Sequence, residues 1–208
     1  DTHVHTTYSA DAGMVGNTLG PDAAYRFAKG EVVTSSTGLK TRLARPLDFL
    51  VVTDHAENLG LAPLLAQKDP TLLATEFGRK LRAALDAGDP AGAWKFWSQA
   101  KATGNDPLAE HPEIYRSAWS RITAAAEDHN QPGQFTALIG FEWTSLVAGN
   151  NLHRNVIFRD GADKAGQVVP YTTQAPVGST DPLDLYRYLE NYEETTGGSA
   201  LALAHNGN

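Results

Sequence analysis

The opening stretch DTHVHTTYSADA sets His3 and His5 two residues apart, with Asp11 close behind. In an extended strand the side chains at i and i+2 leave on one side, so both imidazoles would aim at one point in space. That is a chelate geometry, although an exposed polar strand end would carry the same pair. Further along, Asp54 and His55 close LDFLVVTDH, Glu142 closes FTALIGFEW, His153 lies just before NVIF, and His205 closes ALALAH. Imidazole and carboxylate are the ligands of zinc, manganese and iron, and the chain has no cysteine to offer a thiolate. A metal centre here would therefore stand on nitrogen and oxygen alone.

Something must bring these positions together, and the apolar pattern indicates what. LDFLVVTDH, FTALIGFEW, NVIF and ALALAHN are short runs, rich in β-branched and aromatic residues, each with a polar residue near one end. They read as buried parallel strands. Between them lie amphipathic helices. In DPLDLYRYLENYEETTGG, Leu185, Tyr188, Leu189 and Tyr192 share one face, with Asp181 to cap, Pro182 for the first turn and Gly197 for the stop. Tyr115, Ala118, Trp119 and Ile122 repeat the pattern after Pro112. Strands alternating with helices predict an α/β parallel sheet or barrel, whose strands deliver their C-terminal ends to one face. The segment 59–130 is too long for an ordinary connection and reads as a helical insertion within one domain spanning 1–208. A lid over the site and added packing mass are both open readings of it.

The composition narrows the class of partner. A formal net charge of −7 leaves no basic surplus for a nucleic-acid polyanion. The short basic stretch TGLKTRLARP reads as a solvated loop or as a contact for an anionic substrate group. No apolar run approaches bilayer length, so no membrane span is expected. The first residue already lies inside a motif, and a strand delivers His205 just before the last, so both ends read as cut from a longer chain.

DTHVHTTYSADA, DFLVVTDHAE, GFEWTS, NNLHRNVIF and ALAHNGN together resemble the PHP (polymerase and histidinol phosphatase) superfamily of metal-dependent phosphoesterases. The resemblance is closest to its bacterial branch known only as a domain of unknown function (DUF3604-like). It implies a distorted (β/α)7 TIM-like barrel, here incomplete at both ends, with two or three divalent ions (zinc, manganese or iron) at one face. Carried over motif by motif, His3, His5 and Glu142 would hold one ion, Asp11 and His55 a second, and Glu142 with His153 and His205 a third. An Asp-x-His pair expected on a late strand has no match in this chain.

The implied activity is hydrolysis of a small-molecule phosphoester by a metal-bridging hydroxide, with Glu142 as the shared carboxylate and His55 and Asp54 in the catalytic set. Asp54 reads as the acceptor that orients a ligand imidazole, with a strand-end cap as the alternative. Arg154 and Asn206 are the candidate substrate contacts, Glu57 a further candidate ligand, and His111 and His129 structural. An amidohydrolase-type barrel, which also begins with H-x-H, is the rival enzyme, but the strand that would bring its bridging lysine brings Glu142. A non-catalytic module on the same fold is the rival from another class. The same branch points to a periplasmic or secreted protein, with a cytoplasmic one the alternative.

Overall fold

The computed structural model describes residues 1–205. Residues 1–6 run extended beside a strand, with Val51 N donating to Asp1 O at 3.1 Å and Thr53 N to Val4 O at 2.9 Å. Helices α1 (Ala10–Met14) and α2 (Pro21–Ala28) follow, then a small antiparallel ladder of β1 (Val33–Thr34) and β2 (Lys40–Thr41). Strand β3 (Phe49–Val52) leads into five helices: α3 (Leu61–Gln67), α4 (Pro70–Ala74), α5 (Glu76–Asp86), α6 (Pro90–Ala102) and α7 (Pro112–His129). Strands β4 (Thr136–Val147) and β5 (Asn150–Phe158) come next, and helices α8 (Ala162–Ala165) and α9 (Pro182–Thr196) precede β6 (Ala200–His205).

The helices begin and end where side-chain chemistry says they should. Asp69, Asp89 and Asp181 accept from first-turn amides of α4, α6 and α9, each with proline in the first turn, and α9 stops at Gly197 with φ +63°. Helices α3–α6 bury Leu61, Leu65, Leu72, Leu81 and Trp97 in an apolar cluster of their own, joined by Ile114 at the start of α7. The larger core packs α2, α7 and α9 against one face of the main sheet through Tyr25, Trp119, Trp143, Phe158 and Tyr192. Among the described residues, no helix is long and apolar enough to cross a membrane.

The main sheet corrects the parallel reading. Its order is β3-β4-β5-β6; β3 pairs parallel with β4, but β4–β5 and β5–β6 are antiparallel, and the sheet does not close into a barrel among the described residues. The cause is local. Ala148 and Gly149 adopt φ +52° and +84°, the doubly left-handed two-residue turn that folds a strand back on itself, so NVIF returns along β4. The register then decides which residues share a face. Glu142 opposes Asn155, Thr144 opposes His153, and His153 opposes His205. With a side-chain period of two, all five stand on the same side of the sheet. Gly140, on that face two residues before Glu142, lets neighbouring strands close in; a Cβ there would lie 2.5 Å from Val51 and 2.6 Å from the Val156 carbonyl.

Candidate metal centre

Seven sequence-predicted ligands converge although they come from six parts of the chain. The extended segment brings His3 and His5, α1 brings Asp11, the turn after β3 brings His55, and β4, β5 and β6 bring Glu142, His153 and His205. His3 and His5 face each other with their Nε2 atoms 3.2 Å apart, and the His3 ring stacks on His205 at 3.6 Å between centroids. Glu142 is 1 % exposed; its Oε2 lies 2.9 Å from His5 Nε2 and 3.5 Å from His55 Nδ1, and its Oε1 lies 2.6 Å from His153 Nδ1. Asp11 Oδ2 is 3.3 Å from His55 Nε2.

The hydrogen bonds behind these rings fix where their protons sit. Ser9 gives its hydroxyl proton to Asp11 Oδ1 at 2.7 Å, so its oxygen can only accept at the His5 Nδ1 contact of 2.7 Å. His5 therefore carries its proton on Nδ1. The Asn155 amide nitrogen donates to the Thr2 carbonyl, which turns Oδ1 toward His3 Nδ1 at 3.2 Å and places that ring's proton on Nδ1 as well. The two Nε2 lone pairs then face each other, with Glu142 Oε2 2.9 Å to the side of His5 Nε2. That oxygen is buried without a hydrogen-bond partner, because its close approach to His5 lies off the hydrogen-bond axis. Such an arrangement is repulsive unless a positive charge lies between the atoms.

The charge balance points the same way. Burial pushes the Glu142 carboxyl up, but the contact with His5 and the charges of His55, His5 and His153 prevail and hold it at about 2. Asp11 is likewise held far below the usual carboxylate range: burial raises it, and the His55 hydrogen bond and charge more than offset this. Burial and the neighbouring His5 press His3 below its ordinary value, whereas for His55 burial is outweighed by Asp11 and Glu142 and the ring is raised. Ionised carboxylates and imidazoles that share one buried space make a donor set for a hard or borderline divalent ion.

Two groups of ligand atoms each lie within 4.8 Å of one another: His3, Glu142 and His205, and His5, Asp11 and His55. Ligand atoms on a tetrahedral ion stand roughly 3.4 Å apart, so each group needs only a small contraction to close on an ion. The residues present thus fit the expected metals. The partition differs from the one the resemblance implies, since His3 falls in with His205 and His5 with Asp11 and His55. His153 stands outside both groups, its Nδ1 turned to Glu142 Oε1 and to Thr144 Oγ1 at 2.9 Å.

Other expected site residues are placed differently. Asp54 does not contact an imidazole: its two oxygens accept from the backbone N–H and hydroxyl of Thr6, so it anchors the chain that follows the H-x-H pair. Burial pushes that carboxyl up to about 6 despite the Thr6 bonds. Arg154 opposes Trp143 and Ala204, which puts it on the face of the sheet away from Glu142, and its guanidinium donates to the His153 carbonyl. It is not positioned to clamp a substrate at this centre. Asn206 lies outside the described residues. His111 pairs with Glu113 at 3.0 Å and His129 with Asp22 at 2.9 Å, both away from the centre.

Sequence reasoning missed Ser9, Thr144 and Asn155. Thr144 and Asn155 stand two residues from Glu142 and His153, so strand periodicity could have placed them on the ligand face. Ser9 offers no such signal beyond its place between His5 and Asp11. Beside His5, an open groove of about 200 Å³, walled by Leu19, Phe27, Val33 and Thr41, adjoins the centre.

The model of a family described as a protein of unknown function (DUF3604) matches residues 1–208. No curated protein and no solved structure matches the chain.

Proposed function

For a chain that belongs to the DUF3604 family, whose description assigns no activity, we propose the function of a metal-dependent hydrolase acting on small-molecule phosphoesters. The observation that carries this reading is the pair of facing Nε2 atoms of His3 and His5 beside the unpartnered Glu142 Oε2. Three donor atoms crowded together, with no lysine or arginine paired to any of them, suit a cation. The likeness of the five motifs to the PHP phosphoesterases supports the choice of phosphorus as the reacting centre.

Zinc, manganese or iron held there supplies Lewis acidity at a phosphoryl oxygen and acidifies a water, chemistry that needs no protein nucleophile. The chain's own residues do the rest. Glu142 brings its buried negative charge between the two ligand groups and so serves both. Ser9 and Asn155 keep the His5 and His3 protons on Nδ1, so the Nε2 atoms stay free to ligate. The groove beside His5 has apolar walls suited to the organic part of an ester, while the phosphoryl end would face the ligand cluster.

A screen of phosphomonoesters and phosphodiesters, with zinc, manganese or iron(II) added, tests the reading. Hydrolysis that requires metal and disappears in Glu142→Gln is the expected result. A metal-loaded protein that cleaves none of these esters would overturn it and leave a binding module on the same scaffold.

A further inference from the structure

The groove beside His5 is both apolar and roomy, and α2 makes it so. Gly20, Ala23, Ala24 and Phe27 fall at i, i+3, i+4 and i+7, so the helix and its cap turn one face into the groove. Three small residues in that row leave space, and the Phe27 ring follows one turn later. Leu19 and Val33 add apolar wall from other parts of the chain. The open volume is about 200 Å³. An apolar cavity of about 150 Å³ is enough to take up benzene.

The polar side chains that line the groove are turned toward the protein itself. The Thr6 hydroxyl donates to Asp54 Oδ2 at 2.6 Å and accepts from the Tyr8 N–H at 3.2 Å. Asn17 Oδ1 accepts from the Leu19 N–H at 2.9 Å and from the Ser36 hydroxyl at 3.3 Å. The Ser35 hydroxyl accepts from the Leu39 N–H and meets Thr37 Oγ1, each at 3.0 Å. Beyond His5, only the Asn17 amide nitrogen and the exposed Thr41 hydroxyl remain to offer among the described side chains of the groove. A sugar would leave several hydroxyls there without partners, and that is costly. Among the described residues, no aspartate, glutamate, lysine or arginine lines the groove, so it has no cation for a second phosphate or a carboxylate. The basic stretch TGLKTRLARP contributes Thr41 and none of its charges.

We propose that this groove selects phosphoesters whose alcohol part is one uncharged apolar group, a single aromatic ring or an alkyl chain of like size. That group lies along α2, and the phosphoryl end meets the ligand cluster at His5. This rests on the hydrolase reading above and narrows its substrate class: arylalkyl and short alkyl phosphates fit, whereas sugar phosphates, nucleotides and diphosphates do not. The metal ligands would serve any phosphoester. The small side chains of Ala23 and Ala24 set which one enters.

Stable phosphonates, titrated by calorimetry into the zinc-loaded protein, read this fit without any contribution from leaving-group reactivity. One well-buried methylene in an apolar pocket changes selection by roughly 10–200-fold, so benzylphosphonate should bind at least about 10-fold more tightly than methylphosphonate. Dihydroxypropylphosphonate, which carries hydroxyls in place of the ring, should gain nothing over methylphosphonate. Ala23→Leu fills the groove from α2 and should erase the benzyl advantage. Its zinc affinity, measured by chelator competition, should match wild type, because the change lies outside the ligand set.

Equal affinity for the benzyl and methyl compounds, or tighter binding of the dihydroxypropyl compound than of the benzyl one, would overturn the proposal. The hydrolase reading would then still stand or fall on its own ester screen. Preferred binding of benzylphosphonate with no cleavage of benzyl phosphate would do the reverse, upholding the groove's selection and removing the hydrolase. Should Ala23→Leu not fold, the wild-type series of three phosphonates still decides.

Discussion

Ser9→Ala removes a single oxygen, but that oxygen accepts from His5 Nδ1, donates to Asp11 Oδ1 and accepts from the His55 backbone N–H at 3.2 Å. Ser9 is fully buried, so no water replaces the lost partner for the His55 amide. One buried donor left unsatisfied costs about 1–3 kcal/mol, and the metal-free protein should lose stability by that amount in denaturant unfolding. The second effect falls on metal binding. Without the hydroxyl, the His5 proton is no longer held on Nδ1, and the ring populates the tautomer that blocks Nε2. A weakening of roughly 10–100-fold corresponds to about 1.4–2.8 kcal/mol, and competition against a chromophoric chelator reads it directly. The two assays separate packing from proton placement. Lost stability with unchanged zinc affinity would refute the tautomer argument and reduce Ser9 to a packing residue.

Three further outcomes follow from other parts of the structure. Because His205 groups with His3 and Glu142, whereas Asp11 groups with His5 and His55, His205→Ala and Asp11→Ala should each lower metal content by about one equivalent, and the double variant should lower it by about two; elemental analysis of the three proteins checks this. Ala148 sits at φ +52° in a two-residue turn that favours Asn-Gly, so Ala148→Asn should raise stability by some tenths to about 1 kcal/mol in thermal unfolding, and a loss would contradict the turn assignment. Asp160 holds the Ser199 N–H ahead of β6; burial raises its carboxyl, and the Ser199 bond with the Lys164 and Arg159 charges lowers it further than burial lifts it. A carboxyl held below its unfolded value stabilises the fold above pH ~4 and loses that contribution as pH falls through the folded value. Asp160→Asn should therefore be less stable than wild type at neutral pH, with the gap closing in acid, and a gap that widens below pH ~4 would reverse the sign.

The cluster of candidate ligands was legible in the sequence because metal chemistry restricts residue types so strongly. Histidine and carboxylate recurring near the ends of apolar runs is a rare pattern, and the structure gathers each of those residues at one centre. The caps of α9 were equally plain, since Asp181, Pro182 and Gly197 each have a local steric or hydrogen-bonding reason for their position. Strand direction was not legible. It hinges on Ala148 and Gly149, and alanine in a left-handed turn sends no compositional signal, so β5 reads as a new parallel strand when it is the return arm of a hairpin. Adjacency in sequence misled in the case of Arg154. Its place next to His153 guarantees the opposite face of the strand, where it cannot reach what His153 reaches. Asp54 was placed correctly beside the site but assigned the wrong partner, because a carboxylate serves a backbone amide as readily as an imidazole, and only the path of residues 1–6 decides between them.

Metal content tests the account most directly. The protein, purified without chelator or histidine tag and reloaded with zinc, manganese or iron(II), should hold two or more equivalents per chain, bound tightly enough to survive gel filtration. Fewer than one equivalent after reloading would mean that a proton, and not a metal ion, sits between His3, His5 and Glu142, and the proposed chemistry would fall with it.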